Sequence, residues 1–184
     1  MQVSKLIEIP DWIDYENLDN VIVDDTNEQM KLVLQLADKN VKEKTGGPFG
    51  AAVFEEQSGE LISVGVNIVV ESNCSTAHAE IVAISLAQEK LKNYRLDEKS
   101  YVLISSAQPC VMCAGALLWS GIKKVVYGSN KNDVEEIVGF DEGPIHPDWI
   151  NEMKKRDIEI IGEVLRDEAN EVLKEYKRSE GIVY

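Results

Sequence analysis

Two short clusters, His78-Ala79-Glu80 and Pro109-Cys110-Val111-Met112-Cys113, stand 28 residues apart and constrain this chain more than any other feature. A histidine and two cysteines are three donors of the kind that hold Zn2+ in a tetrahedron. They are one short of a closed structural site, and catalytic zinc centres leave that corner to water. Cysteines at i and i+3 share one face of a helical turn. Pro109 favours a first helical turn at that point, where the unpaired N–H groups and the helix dipole favour thiolate over thiol. His78 is likewise expected to open a helix, so the fold must bring two helix starts to one point. Glu80, two residues past the histidine, is placed to reach a water on the metal without binding the metal itself, as a general acid/base must. A thioredoxin-like reading of Cys110-x-x-Cys113 would leave His78 and Glu80 without work. Cys74 has no spacing partner and reads as an ordinary half-buried thiol.

Composition narrows the partners. The 184 residues fit one domain, with 33 acidic against 19 basic side chains and a net charge of −14. Nucleic-acid affinity rests largely on phosphate neutralisation by Lys and Arg, so nucleic acid is not expected, nor is an anionic membrane face. Small neutral substrates remain. Residues 1–28 carry acids throughout and no apolar run of signal-peptide length, so neither a secretory leader nor a transit peptide is expected. With no apolar run of membrane-spanning length and two cysteines at metal-ligand spacing, the expected compartment is the cytoplasm.

Residues 1–25 read as an acidic arm strapped to the body by Leu6, Ile7, Trp12, Ile13 and Tyr15, and residues 26–184 as the catalytic domain. Thr26 with Gln29 resembles a capping box, and Met30, Val33, Leu34, Ala37 and Val41 recur at helical spacing until Gly46-Gly47-Pro48 ends the helix. Strands are predicted at 50–54 and 61–70 around a polar hairpin loop, and then at 101–105, 123–127 and 158–161. Helices are predicted from near Thr76, from Pro109 to Gly121, from Asp148, and over an amphipathic segment running from Val164 to Tyr176. Helices alternating with strands after a hairpin give a three-layer α/β/α sandwich around a central mixed sheet.

The joint pattern His-x-Glu … Pro-Cys-x-x-Cys resembles the cytidine/deoxycytidylate deaminase superfamily, whose members deaminate bases with zinc and a glutamate proton carrier. Within it, the resemblance runs to bacterial guanine deaminases, from the first helix onward and most densely over residues 46–145. It is carried by Gly46-Gly47-Pro48-Phe49-Gly50, by Asn67 eleven residues before His78, by Trp119, and by Gly139-Phe140-Asp141-Glu142-Gly143-Pro144. The resemblance implies a cytidine deaminase-like fold and hydrolysis of a free purine, guanine, to xanthine and ammonia. It further implies that Phe49 and Asn67 bind the purine and that Trp119 is a pocket aromatic. Water activated by the metal would attack C2 while Glu80 moves its proton to N3, with the Ala79 N–H near the attacked centre. Asp141 or Glu142 would serve the leaving amine. A homodimer is implied, with an exchanged C-terminal segment whose Tyr184 caps the partner's site. One departure stands out: Gln108 precedes Pro-Cys where the family has Glu.

Each residue also has a plainer reading. Gly-Gly-Pro is a helix stop, Phe49 and Trp119 suit a core or interface, Asn67 could end a strand, and two loop acids could simply be solvated. A tRNA adenosine deaminase shares the metal pattern and the run Cys113-Ala114-Gly115-Ala116, but would call for a basic tail or face. A zinc-stabilised binding module would have no use for Glu80. Zinc spacing alone equally allows cytosine or adenine, and an amino-triazine presents an edge similar to guanine's.

Overall fold

The computed structural model describes residues 8–184, so the arm anchors Leu6 and Ile7 lie outside the described residues. A central sheet has the order β2-β1-β3-β4-β5. Its strands are β1 (Gly50–Glu55), β2 (Leu61–Val66), β3 (Tyr101–Ala107), β4 (Lys124–Ser129) and β5 (Glu159–Ile161). β1 runs antiparallel to both β2 and β3, whereas β3, β4 and β5 run parallel.

Strand alternation sends residues to opposite faces, and both faces are covered. Ala51, Val53, Leu103 and Val125 point to the layer holding α3 (Ala79–Leu91), α4 (Val111–Ser120) and α6 (Trp149–Lys154). Ala52, Phe54, Val102, Ile104 and Val126 point to α1 (Thr26–Lys42) and α7 (Arg166–Arg178). Burial on both faces explains why the strands read as continuous apolar runs rather than as alternation. The architecture is therefore the three-layer α/β/α sandwich around a mixed sheet.

Several boundaries differ from the sequence reading. The N-cap of α1 is Asp25, whose side chain accepts from the Glu28 N–H, while Gln29 Nε2 instead donates to the Val23 carbonyl. An aspartate outranks the neighbouring threonine as a cap, and it displaces the expected Thr26 box. The run predicted as one strand to Val70 ends at Val66 and turns into the short helix α2 (Val69–Ser72). α5 (Lys131–Ile137) lies where only loop was expected, held by a reciprocal cap between Asn130 and Asp133. Asp133 also takes two hydrogen bonds from Arg166 at the start of α7, at 2.7 and 2.8 Å. α4 stops at Gly121, whose left-handed φ of 88° suits glycine.

The arm lies on the body. Trp12 Nε1 donates to Thr45 Oγ1 at 2.9 Å, and Ile13 is buried. The Tyr15 hydroxyl both donates to the Val64 carbonyl and accepts from the Val64 N–H. Residues 21–23 run beside the hairpin end, with Leu61 N–H donating to Val21 O and Val23 N–H to Gly59 O. No helix among the described residues is long and apolar enough to cross a membrane.

Candidate active site

One end of the sheet carries the site. β1 starts there at Gly50, β2 ends there at Val66, and β3 ends there at Ala107, because β1 is antiparallel to both neighbours. His78 is the N-cap of α3 and Cys110 the N-cap of α4, with Cys113 in the first turn that follows. These three donor atoms lie within 4.8 Å of one another, with Cys110 Sγ 3.6 Å from His78 Nδ1. A tetrahedral ion with ordinary Zn–S and Zn–N bonds would set a sulfur and a nitrogen about 3.6 Å apart, so the donor set fits zinc.

Electrostatics support metal binding. The Cys110 thiol is pulled down to about 4, chiefly by a hydrogen bond from Cys113 and also by the one with His78. That same bond with Cys110, together with burial, holds the Cys113 proton on and pushes its pKa up. A divalent cation would replace that shared proton, since thiolates are the ligands.

Glu80, 6% exposed, lies beside the donors. Its Oε2 accepts from Cys113 Sγ at 3.5 Å and its Oε1 from Ser105 Oγ at 3.3 Å. Burial, and then the negative charge of Cys110, raise its pKa. Ala79 is the first residue of α3, where backbone N–H groups have no intrahelical acceptor.

A cavity of about 140 Å³ opens beside these groups. Phe49, Asn67, Glu142 and Tyr184 line it together with His78, Glu80 and Cys110. The two loop acids part company here. Glu142 is half-buried and faces the donors, and its carboxyl is pushed up to about 8 by burial and by the charges of Cys110 and Glu80. Asp141 also lines the cavity but is exposed, and its Oδ1 accepts the Gly143 N–H at 2.8 Å in a local turn. Asn67 is 1% exposed; its Oδ1 accepts from the Tyr184 hydroxyl at 2.8 Å, while its Nδ2 is buried with no hydrogen-bond partner among the described residues. A buried amide donor left unpaired is costly and here faces a cavity.

One expectation is corrected. Trp119 is 81% exposed and does not line the cavity, because it sits nine residues beyond Cys110, about 13 Å along the helix axis. Tyr184 reaches the cavity of its own chain, where its ring meets Phe140 edge-on with centroids 5.2 Å apart. The tail turns back after α7, with the Tyr176 hydroxyl donating to the Ile182 carbonyl.

Four lining residues, Ser75, Ala107, Gln108 and Phe140, were not singled out in the sequence as site residues. Phe140 is the hub of an aromatic cluster with Phe49, Tyr176 and Tyr184; its place in the Gly-Phe-Asp-Glu segment was the available signal. Gln108 also lines the cavity, with Oε1 accepting the Lys131 N–H at 3.3 Å, and its place next to Pro109 was the signal.

Residues 23–129 match the family model of the cytidine and deoxycytidylate deaminase zinc-binding region. The chain is 38% identical over 129 residues to a guanine deaminase of Bacillus subtilis, covering 70% of this chain and 80% of that protein. The solved structure of a guanine deaminase from Nitrosomonas europaea superposes with a TM-score of 0.90 at 40% identity, covering 97% of this chain and 98% of the other. A tRNA-specific adenosine deaminase of Buchnera aphidicola is 34% identical over 148 residues, covering 80% of this chain and 90% of that one.

Proposed function

The chain belongs to the zinc-binding cytidine and deoxycytidylate deaminase family, and from that premise we propose that it hydrolyses guanine to xanthine and ammonia. The observation that carries the reading is the buried, unpaired Asn67 Nδ2 in the same aromatic-walled cavity as the metal donors. A flat purine offers acceptors to such a donor, and Phe49 and Phe140 offer it ring faces and edges.

His78, Cys110 and Cys113 would hold the zinc. The chemistry such an ion supplies is Lewis acidity, which lets water act as a nucleophile near neutral pH. Glu80 takes the proton of the attacking water and delivers it to N3 as the C2 centre becomes tetrahedral. Glu142, the inward carboxyl of the loop, carries the next proton to the departing amine, which leaves as ammonia. The Ala79 N–H, at a helix start, favours negative charge near the attacked centre. Tyr184 closes the mouth and keeps other water out.

A tRNA substrate is disfavoured by the net charge of −14, since backbone neutralisation supplies most of such affinity. We place the enzyme in the cytoplasm, where the ligand thiols stay reduced. We also propose a homodimer, supported by Val111, Leu118 and Trp119, apolar side chains exposed along α4. The test is ammonia release by the zinc-loaded protein from guanine, guanosine, adenine, cytosine, ammeline and a tRNA anticodon stem-loop. Guanine should be turned over fastest; faster release from the stem-loop or from cytosine would overturn the reading.

A further inference from the structure

A second buried asparagine lies behind the first. Asn40, on α1, is fully buried, and unlike Asn67 its amide is saturated. Its Nδ2 donates to the Gly47 carbonyl and to the Asn67 carbonyl, both at 2.8 Å. Its Oδ1 accepts from Thr45 Oγ1 at 2.7 Å. Thr45 Oγ1 in turn accepts from Trp12 Nε1 of the arm, whose ring is held under the Lys39 ammonium, 4.8 Å from the centroid.

The two carbonyls Asn40 grips belong to the backbone from which the base-binding side chains hang. Gly47 N–H donates to Asn67 O, Phe49 N–H to Gly47 O, and Asn67 N–H to Phe49 O. Residues 47, 49 and 67 thus form a small closed lattice at the mouth of β1 and β2, pinned from behind by one amide. The packing is tight: a Cβ on Gly46 would run into the Asn67 carbonyl and meet Asn40 Nδ2.

We propose that Asn40 is a positioning residue for base recognition, holding Gly47 and Asn67 so that Asn67 Nδ2 is presented unpaired to the purine, with Thr45 steadying it and Trp12 of the arm steadying Thr45. A saturated buried amide is rigid, because every alternative pose would leave a polar atom unpaired. Holding the Asn67 backbone fixes the direction in which its side chain leaves, and the Tyr184 hydroxyl on Oδ1 leaves Nδ2 as the free donor end. The zinc donors hang from α3 and α4 and not from this lattice, so the relay acts on binding rather than on chemistry.

This inference rests on the guanine reading, and its test separates the two. Asn40→Ala should raise KM for guanine about tenfold, as expected for losing buried hydrogen bonds to a recognition segment. kcat should stay within about twofold and zinc content at the parental level. Thr45→Val, which removes only the hydroxyl, should raise KM about threefold in the same pattern and stands in if Asn40→Ala does not fold. Hydrogen–deuterium exchange of the ligand-free, zinc-loaded protein should rise in both variants over residues 46–50 and 66–69, with residues 110–117 unchanged. Unchanged KM with only a lowered melting temperature, or unchanged exchange in 46–50, would overturn the inference. Raised exchange in a protein whose parent does not turn over guanine would overturn the substrate reading and leave the clamp standing.

Discussion

The metal-holding half of the site and the base-holding half are built in different ways. His78, Glu80, Cys110 and Cys113 stand on two helix starts laid on the sheet, all within 36 residues of one another. Phe49, Asn67, Phe140, Glu142 and Tyr184 come from three loops and a tail spanning residues 49 to 184. The first half is fixed by regular backbone, so its spacing is rigid and its chemistry shared across a family. The second depends on how loops meet, which is where substrates come to differ between relatives.

The sharpest way to break the comparison is within the metal half. Cys113→Ala should lose zinc and all measurable turnover, since two protein ligands remain. Glu80→Gln should keep zinc yet lower kcat about 10²–10⁴-fold, because an amide cannot accept and return a proton. Metal content by atomic emission beside kcat distinguishes them; a Glu80→Gln protein that has lost its zinc would show that Glu80 serves the ion and not the proton.

A smaller effect separates two neighbours in the base half. Glu142→Gln should lower kcat about 10²-fold with little change in KM, whereas Asp141→Asn should stay within about threefold of the parent. The asymmetry follows from Glu142 facing the donors and Asp141 being occupied by the Gly143 N–H. Equal losses in both variants would mean the loop acts as one unit.

The smallest effect lies outside both halves. Arg166 holds the Asp133 carboxyl below its usual range, so the pair stabilises the fold above the unfolded aspartate pKa of about 3.9, and its contribution is lost as pH falls through the lowered folded value. The Arg166 side chain is 40% exposed, so solvent screening keeps the gain small. Asp133→Asn should lower Tm by about 2–4 °C at pH 7, and the difference should shrink below about pH 4. A gap that persists undiminished as pH falls through the lowered folded value would assign it to the cap of α5 and not to the ion pair.

What could be read from the chain follows the same division. The ligand triad and Glu80 were legible because helix geometry converts i, i+3 spacing directly into a shared face. The strands were legible as apolar runs, but Val69 and Val70, β-branched and next in line, belong to α2. α5 carries one buried residue, Val134, within a charged segment, too little apolar surface to mark a helix; only the Asn130–Asp133 cap announced it. Trp119 was misplaced because position along a helix, not residue type, decides what it reaches. The clamp of Asn40 on Asn67 spans 27 residues in sequence and leaves no periodic trace, so only the folded backbone reveals it.

The Tyr15 hydroxyl has a consequence for how the molecule behaves in a crowd. β2 lies at the rim of the sheet, and its outward N–H and C=O groups are a template for any passing strand. At Val64 one phenol fills both roles of the missing neighbour, taking the amide proton and giving its own to the carbonyl. Burial pushes its pKa up to about 12, so that proton is retained across physiological pH. With residues 21–23 seated along the hairpin end, the arm works as a selvedge: it finishes the woven rim of the sheet so that it does not ravel into its neighbours.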